Sequence, residues 1–295
     1  MPELPEVETM ARELRPLVLG RTIVAFWCAR PAILGGLSDP AELADAIEGS
    51  RVLAVRRRAK IILFDLDDGS LLTYAPRMTG QFRLVSAGTP IGRHDRAGVG
   101  FSDGTELRIV DIRTFGRLIW YKPGGLNPRT GVAVFAELGP EPLDPGTTDI
   151  VMARAVAPRY ARRPIKSLLL DQHFLAGVGN IYADEALWRS RVHPLRLAGS
   201  LSLVEMETLW AELTAVLSEA VSRRGSTIGN YRSLAGEGQM GPLLQAYGRA
   251  GRPCLRCGET MERLVVGGRG TSVCPVCQLA PSAPAKRSVA NPSSL

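Results

Sequence analysis

Four cysteines near the C-terminus constrain this chain more tightly than any other feature of its sequence. Cys254 and Cys257 form one C-x-x-C pair, and Cys274 and Cys277 form a second. Two pairs at this spacing are typical of a Cys₄ zinc ribbon, in which each pair supplies two thiolates to a tetrahedral Zn²⁺. A redox dithiol is the alternative, but it needs only one pair. Because four protein ligands leave no open position for substrate, we expect one structural Zn²⁺.

The residues between the two pairs predict a β-hairpin. Its strands would cover 261–268 and 269–273, with Gly267 and Gly268 at the turn. Arg269 would then lie at the tip of the hairpin, where a guanidinium can bind a phosphate. An arginine in this position is equally compatible with an ordinary solvated surface charge.

Length and charge narrow the class of protein. A chain of 295 residues is long enough for two or three domains. The net charge of +7, from 36 basic and 29 acidic residues, favours a polyanionic partner without requiring one. No apolar run approaches the roughly 18–20 residues that span a bilayer. The acidic start MPELPEVETM does not resemble a signal peptide, so we expect a cytoplasmic protein.

The hydrophobic pattern changes along the chain from one fold type to another. Val7, Met10, Ala11, Leu14 and Val18 predict a first helix that Pro16 and Gly20 bring to an end. Short β-like runs follow at 22–27, 51–55, 61–66, 71–74, 81–85 and 107–110, which favours an antiparallel sandwich or barrel. A Pro- and Gly-rich linker at 139–150 precedes a helical region with an amphipathic helix over 200–222.

The sequence therefore predicts an α+β protein in several parts. An N-terminal antiparallel β-sandwich with an N-terminal helix (1–138) and the linker (139–150) precede a helical domain (151–245). A zinc ribbon (246–279) and a disordered tail (280–295) complete the chain. Residues 225–245 are Gly-rich and irregular, which indicates a flexible loop.

The N-terminus carries a possible catalytic group. Residue 2 is small, so Met1 should be removed to expose the secondary amine of Pro2. A neutral amine can attack an electrophilic sugar carbon and collapse to an iminium ion, and an α-amino group titrates near 7.7–8.0 in model peptides. Glu3 and Glu6 are close enough in sequence to act as general acid or base. Pro- and Glu-rich helix starts are, however, common in unrelated proteins.

Four segments in the right order resemble one known family. They are the start PELPEVET, the segment RRRAK ending at Lys60, the stretch LLLDQHFLAGVGNIYADEALW (Leu168–Trp188), and YGRAGRPC followed by the second C-x-x-C pair. Together they are similar to the formamidopyrimidine-DNA glycosylases, and the resemblance runs from Pro2 to Gln278.

The resemblance implies a bifunctional base-excision enzyme. It would excise oxidised purines such as 8-oxoguanine and formamidopyrimidines, and then cut the abasic strand by β- and δ-elimination. Its partner would be damaged double-stranded DNA. The enzyme would act as a monomer, would associate with the nucleoid and would not bind a membrane. The family's helical domain is of the helix–two-turn–helix type.

The resemblance also assigns roles to individual residues. The family's catalytic set falls on Pro2 as nucleophile, Glu3 as general acid/base, Glu6, and Lys60 on a hairpin loop. Its phosphate-binding set falls on Asn180, Tyr247 and Arg269. Its base-stack wedge, which fills the gap left by the everted nucleotide, falls on Met78, Arg113 and Phe115. Residues 226–231 match the loop that closes over the flipped base. Taken singly, Met78 and Phe115 could be core residues and Lys60 a surface charge.

The chain departs from the family pattern at three places. Ala75 stands where the family usually has His, Thr114 stands where it has a second basic residue, and the loop reads GSTIGNY at 225–231. These departures predict weaker DNA binding or a shifted substrate range.

Two alternatives stay open at this point. An endonuclease VIII-like enzyme would prefer oxidised pyrimidines, but such enzymes typically begin P-E-G-P-E, and Leu4 occupies the position of that glycine. A non-catalytic zinc-ribbon DNA-binding protein is the other, although it would not need Pro2, Glu3 and Lys60 together.

Overall fold

A computed structural model of the chain describes residues 1–35, 39–125, 133–227 and 232–281. Helix α1 (Leu4–Val18) begins the chain, and the five apolar residues that predicted it are all buried. Pro16 lies inside the last turn of α1, so it does not end the helix as expected. The chain instead turns at Gly20, whose φ of +77° is a left-handed conformation that glycine adopts readily.

Two antiparallel four-stranded sheets follow α1. The first has the strand order β1-β6-β7-β5, and the second has the order β2-β3-β4-β8. Apolar residues from both sheets and from α1 form one continuous core, which confirms the predicted sandwich. The strands are β1 (Ile23–Cys28), β2 (Val52–Arg58), β3 (Ile61–Leu66), β4 (Leu71–Ala75), β5 (Gly80–Ser86), β6 (Asp95–Phe101), β7 (Thr105–Asp111) and β8 (Arg117–Tyr121).

Strands β6 and β8 and the helix α2 (Pro40–Ile47) were not predicted from the sequence. Strand β6 reads DRAGVGF and lacks both alternation and an uninterrupted apolar run. It is nevertheless a central strand between β1 and β7. The absence of a side chain at Gly98 lets the ring of Trp27 on β1 pack against this strand, since a Cβ at Gly98 would overlap that ring. Cross-strand packing therefore decides this strand, and single-sequence periodicity does not reveal it.

The second half of the chain is helical, as predicted. Helix α3 (Thr147–Val156) begins within the segment expected to be linker, since Thr147 and Val151 are buried. It precedes α4 (Pro158–Ala161), α5 (Ile165–Leu169), α6 (Asn180–Arg189) and α7 (Leu203–Ser222). Ser202 caps α7, where its Oγ accepts from Glu205 N at 3.2 Å. No helix in the described ranges is both long and apolar enough to cross a membrane.

The C-terminal strands β9 (Glu262–Val266) and β10 (Arg269–Val273) form the expected hairpin. Gly267 and Gly268 both have positive φ, as a tight two-residue turn requires. A buried ion pair fastens this hairpin to the helical domain: Lys166 Nζ donates to Asp184 Oδ1 at 2.5 Å and to Thr271 Oγ1 at 2.6 Å. Residues 282–295, most of the segment predicted to be a disordered tail, lie outside the described residues.

A candidate active site between the sandwich and the helical domain

Glu3 joins the first helix to a helix of the other domain. Its carboxylate accepts from Ile181 N at 3.0 Å and from Tyr182 N at 3.5 Å, at the first turn of α6. Gly179 precedes α6 and has no side chain with which to cap it. A Cβ at position 179 would overlap the Glu3 carboxyl carbon. The glycine is therefore required by this close approach, and Glu3 caps α6 in place of a local side chain.

The surroundings of Glu3 favour its protonated form. The side chain is 2% exposed. Burial raises the pKa of Glu3 to about 7, against the opposing influence of Lys60 and with a further increase from Glu6; the backbone N–H groups of Ile181 and Tyr182 lower it. Near neutral pH both protonation states of Glu3 are thus populated, as a group that donates and accepts protons requires.

Glu6 connects three segments around the same site. Its carboxylate accepts from Glu3 N at 2.9 Å and from the Tyr182 hydroxyl at 2.5 Å. It also accepts from Ser226 N at 2.7 Å and Ser226 Oγ at 3.0 Å. Glu6 therefore fixes the start of α1 against α6 and against the first residues of the segment 226–231. Residues 228–231 of that segment lie outside the described residues.

Lys60 lies at the tip of the β2–β3 hairpin and points at the other domain. Its Nζ donates to Val178 O at 2.9 Å. Burial lowers the pKa of Lys60; the charges of Glu3 and Glu6 oppose this decrease, while Arg269 and Arg77 add to it. Lys60 is thus a partly buried amine near two carboxylates rather than the surface charge that the sequence alone allowed.

Glu141 holds the hairpin tip in place. It is 7% exposed and accepts from Ala59 N at 2.5 Å. It also pairs with Arg57 Nη1 at 2.6 Å and with Arg58 Nη1 at 2.7 Å. Sequence reasoning missed this residue, because it lies in a segment that reads only as a linker.

A cavity of about 330 Å³ opens beside these groups. Pro2, Lys60, Arg77 and Arg269 all line it, and Met1 covers part of the same wall. Three cationic side chains around one opening favour an anionic ligand such as a DNA phosphate. The structure therefore brings the predicted nucleophile, the predicted lysine and the hairpin arginine to one place.

A second cavity, of about 430 Å³, contains the other predicted phosphate-binding residues. Asn180 and Tyr247 line it together with Arg263 of the ribbon. Asn180 Nδ2 donates to Gly270 O at 2.9 Å, while its buried Oδ1 has no hydrogen-bond partner in the described part of the chain. Glu185, fully buried, accepts from Tyr247 N at 2.9 Å and so orients that residue. Sequence reasoning missed Glu185, because in the sequence this residue looks like any other polar residue of a helix.

The three predicted wedge residues lie on two neighbouring turns. Met78 precedes β5, while Arg113 and Phe115 lie between β7 and β8. Phe115 is 46% exposed, and the Arg113 guanidinium lies 4.5 Å from its ring centroid. An exposed aromatic ring stacked by an arginine is unusual for a core residue, so the core interpretation of Phe115 is wrong.

The four predicted cysteine ligands form one compact cluster. Their sulfur atoms all lie within 4.8 Å of one another. The Cys254–Cys277 and Cys257–Cys274 sulfur distances are 4.0 and 3.5 Å. They bracket the separation of about 3.8 Å that Zn–S bonds of about 2.3 Å produce in a tetrahedron. The donor set fits one structural Zn²⁺, and Trp188 Nε1 donates to Cys254 Sγ at 3.4 Å to orient one ligand.

These features define a class of protein: one with a proline at position 2 beside buried carboxylates, a basic cleft and a zinc ribbon. The comparisons with known proteins make the assignment specific. The N-terminal domain model of formamidopyrimidine-DNA glycosylase matches residues 1–118, and its helix–two-turn–helix domain model matches 138–232. A zinc finger found in this family and in isoleucyl-tRNA synthetase matches residues 251–280. The chain belongs to the formamidopyrimidine-DNA glycosylase family.

Relatives and solved structures agree along nearly the whole chain. The formamidopyrimidine-DNA glycosylases of Herpetosiphon aurantiacus and Geobacillus kaustophilus are each 44% identical to it, over 94% of this chain and 100% of each relative. The Lactococcus lactis enzyme, solved with DNA containing an abasic site, is 32% identical and superposes with a TM-score of 0.83 over 94% of this chain and 100% of that one. A complex of the same enzyme with DNA containing N7-benzyl-formamidopyrimidine-dG also superposes with a TM-score of 0.83.

Proposed function

We propose that this protein is a bifunctional DNA glycosylase and abasic-site lyase of base-excision repair that removes oxidised purines. The observation that carries the proposal is the convergence of Pro2, Lys60 and Arg269 on one cavity, with Glu3 buried beside them. Relatives with this name and structures bound to abasic and formamidopyrimidine DNA support it.

The proposed chemistry begins at the nitrogen of Pro2 after removal of Met1. The amine lone pair attacks the deoxyribose C1′, the glycosidic bond breaks, and the base leaves with the bonding electrons. Opening of the sugar ring at the C1′–O4′ bond gives an iminium ion. Glu3, protonated in part near neutral pH, protonates O4′ as the ring opens, and the departing base takes up the proton that the Pro2 nitrogen loses.

The iminium ion then acts as an electron sink for strand cleavage. Loss of a C2′ proton breaks the C3′–O bond, and loss of a C4′ proton then breaks the C5′–O bond. Water hydrolyses the remaining imine and returns Pro2 to the free amine. Lys60 is proposed to bind a phosphate beside the reacting sugar and to stabilise the negative charge near it.

The remaining residues are proposed to bind and distort the DNA. Asn180, Tyr247 and Arg269 would bind backbone phosphates. Met78, Arg113 and Phe115 would fill the space left by the flipped nucleotide, which offsets part of the few kcal/mol that eversion costs. We also propose that the domains cover 1–138, 151–245 and 246–279. The protein is further proposed to be a cytoplasmic monomer associated with the nucleoid.

A panel of lesion-containing duplexes tests the substrate class. We expect faster single-turnover excision of 8-oxoguanine and formamidopyrimidine than of oxidised pyrimidines, and a strand cut on both sides of the missing sugar. Because Ala75 and Thr114 stand where the family usually has a histidine and a second basic residue, we expect affinity for an 8-oxoguanine duplex below that of a typical family member. Faster excision of oxidised pyrimidines would refute the purine assignment, and equal affinity would refute the role given to these two positions.

A further inference from the structure

Asp111, at the end of β7, lies between the two turns that carry the proposed wedge. Its side chain is fully buried. One carboxylate oxygen accepts from the Thr79 hydroxyl and from Arg113 N at 3.1 Å, and the other accepts from Gly116 N at 2.8 Å. Thr79 Oγ1 also accepts from Arg113 N at 3.1 Å. One carboxylate therefore fastens the residue next to Met78 and both ends of the turn that contains Arg113 and Phe115.

Both turns contain a strained residue next to a wedge residue. Arg77 has a φ of +56° and precedes Met78, and Thr114 has a φ of +57° between Arg113 and Phe115. The left-handed region disfavours any side chain, and a β-branched residue such as threonine especially. Such conformations persist only where the surrounding contacts fix them. The bonds to Asp111 are the contacts that flank both strained residues.

The backbone behind Asp111 is also held firmly. Arg96 donates from Nε to Asp111 O at 2.7 Å and from Nη2 to Ile112 O at 3.3 Å. A Cβ at either Gly80 or Gly116 would overlap the hydroxyl of the buried Tyr74. The two turns therefore rest on a rigid base, and the Asp111 carboxylate connects them across it.

We propose that Asp111 is a positioning residue that holds Met78, Arg113 and Phe115 in the one arrangement able to enter the base stack. The inference rests on the proposed function, because it assumes that these three side chains enter DNA. It assigns Asp111 no contact with substrate. Without the Asp111 carboxylate the strained turns relax, and the three wedge side chains are no longer held in the arrangement that enters the base stack.

Asp111→Asn tests this inference with little change in shape. An amide offers one oxygen, so its NH₂ faces one of the two sides. If it faces Gly116 N, that N–H loses its acceptor; if it faces the other side, the Thr79 hydroxyl loses its acceptor and Arg113 N keeps only Thr79 Oγ1. We expect excision of 8-oxoguanine from duplex DNA to fall about 10- to 100-fold, which is what loss of a hydrogen bond to a charged group costs. The rise in fluorescence of 2-aminopurine opposite an abasic analogue, which reports entry of the wedge, should fall in parallel.

Further variants separate positioning from folding. Thr79→Val removes one donor at a less buried position and should lose part of the fluorescence signal, whereas Thr79→Ser keeps the hydroxyl and should retain it. Asp149→Asn, on an exposed turn of α3, is the matched charge control. Borohydride trapping on single-stranded abasic DNA needs no wedge, so it should be unchanged in every variant.

The outcomes distinguish this inference from the proposed function. If folded Asp111→Asn and Thr79→Val proteins excise and unstack as the wild type does, Asp111 is not the positioning residue. If the variants lose trapping on single-stranded DNA to the same extent as duplex excision, the defect is a general structural one and the inference fails. If the wild type itself does not trap, the proposed function fails first.

Discussion

Glu3→Gln is expected to slow base excision by about 10²- to 10⁴-fold, the range that general acid–base catalysis supplies. Glutamine keeps the size of the side chain and one oxygen for Ile181 N, but it cannot donate the proton that O4′ needs as the ring opens. Single-turnover excision of 8-oxoguanine measures the loss. Glu207→Gln, on the exposed face of α7, is the matched control and should behave as the wild type does.

The pH dependence of excision identifies the group further. With the pKa of Glu3 at about 7, the acid form is lost as the pH rises through neutrality, so the wild-type rate should decline on the alkaline side. The neutral amine that Pro2 needs increases over the same range, which makes the profile bell-shaped. Glu3→Gln should lose the alkaline decline. An unchanged decline in this variant would contradict the role of Glu3 as the acid.

Stability should also fall as the pH rises through neutrality. The folded pKa of Glu3, about 7, is above the ordinary glutamate value of 4.5, so the unfolded chain loses this proton first as the pH rises. The stability that the protonated group contributes is complete below about pH 4.5 and is lost as the pH passes through 7. Thermal unfolding should therefore show the wild type losing stability relative to Glu3→Gln across that interval.

Removal of zinc is expected to weaken binding to a duplex with an abasic analogue by on the order of 100-fold or more, as the loss of two hydrogen bonds to charged phosphates would. Among the described residues, the hydrophobic cluster at the ribbon consists of Ala246, Cys254, Met261 and Cys274 packed on Trp188 of α6. So small a core depends on the metal for its folding free energy. Without it, Arg269 is no longer held beside the cleft to donate to a phosphate.

Chelation and Cys274→Ser both test this dependence, with metal content and duplex affinity as readouts. Cys28→Ser is the matched control, because Cys28 lies at the end of β1, outside the ribbon. We expect one zinc per chain in the wild type and in Cys28→Ser. Zinc-free protein that binds the duplex as tightly as the wild type would show that the ribbon needs no metal.

The sequence predicted the parts of this protein whose signals are local. The cysteine spacing, the spacing of apolar residues in α1 and the Gly-Gly turn each depend on neighbours in the chain. The α+β class, the sandwich and the zinc cluster are accordingly confirmed. The position of Pro16 was misjudged, because a proline in the last turn of a helix interrupts few helical hydrogen bonds.

The residues that sequence reasoning missed act through long-range contacts. Glu141 meets the Lys60 hairpin more than 80 positions away, and Glu185 meets Tyr247 about 60 positions away. Asp111 gives no signal of its own in the sequence, yet its carboxylate joins two turns. Each is a buried carboxylate that accepts backbone N–H groups, and a single sequence does not distinguish such a residue from a solvated one.

The central claim is that the nitrogen of Pro2 is the nucleophile, and the most direct test is to locate the covalent bond. Mature protein, shown by intact mass to lack Met1, is reduced with borohydride on abasic duplex DNA, and the N-terminal peptide is sequenced by mass spectrometry. We predict one adduct, on Pro2, and none in protein whose N-terminus is blocked by an added residue. An adduct on Lys60, or efficient trapping by the blocked protein, would contradict the claim.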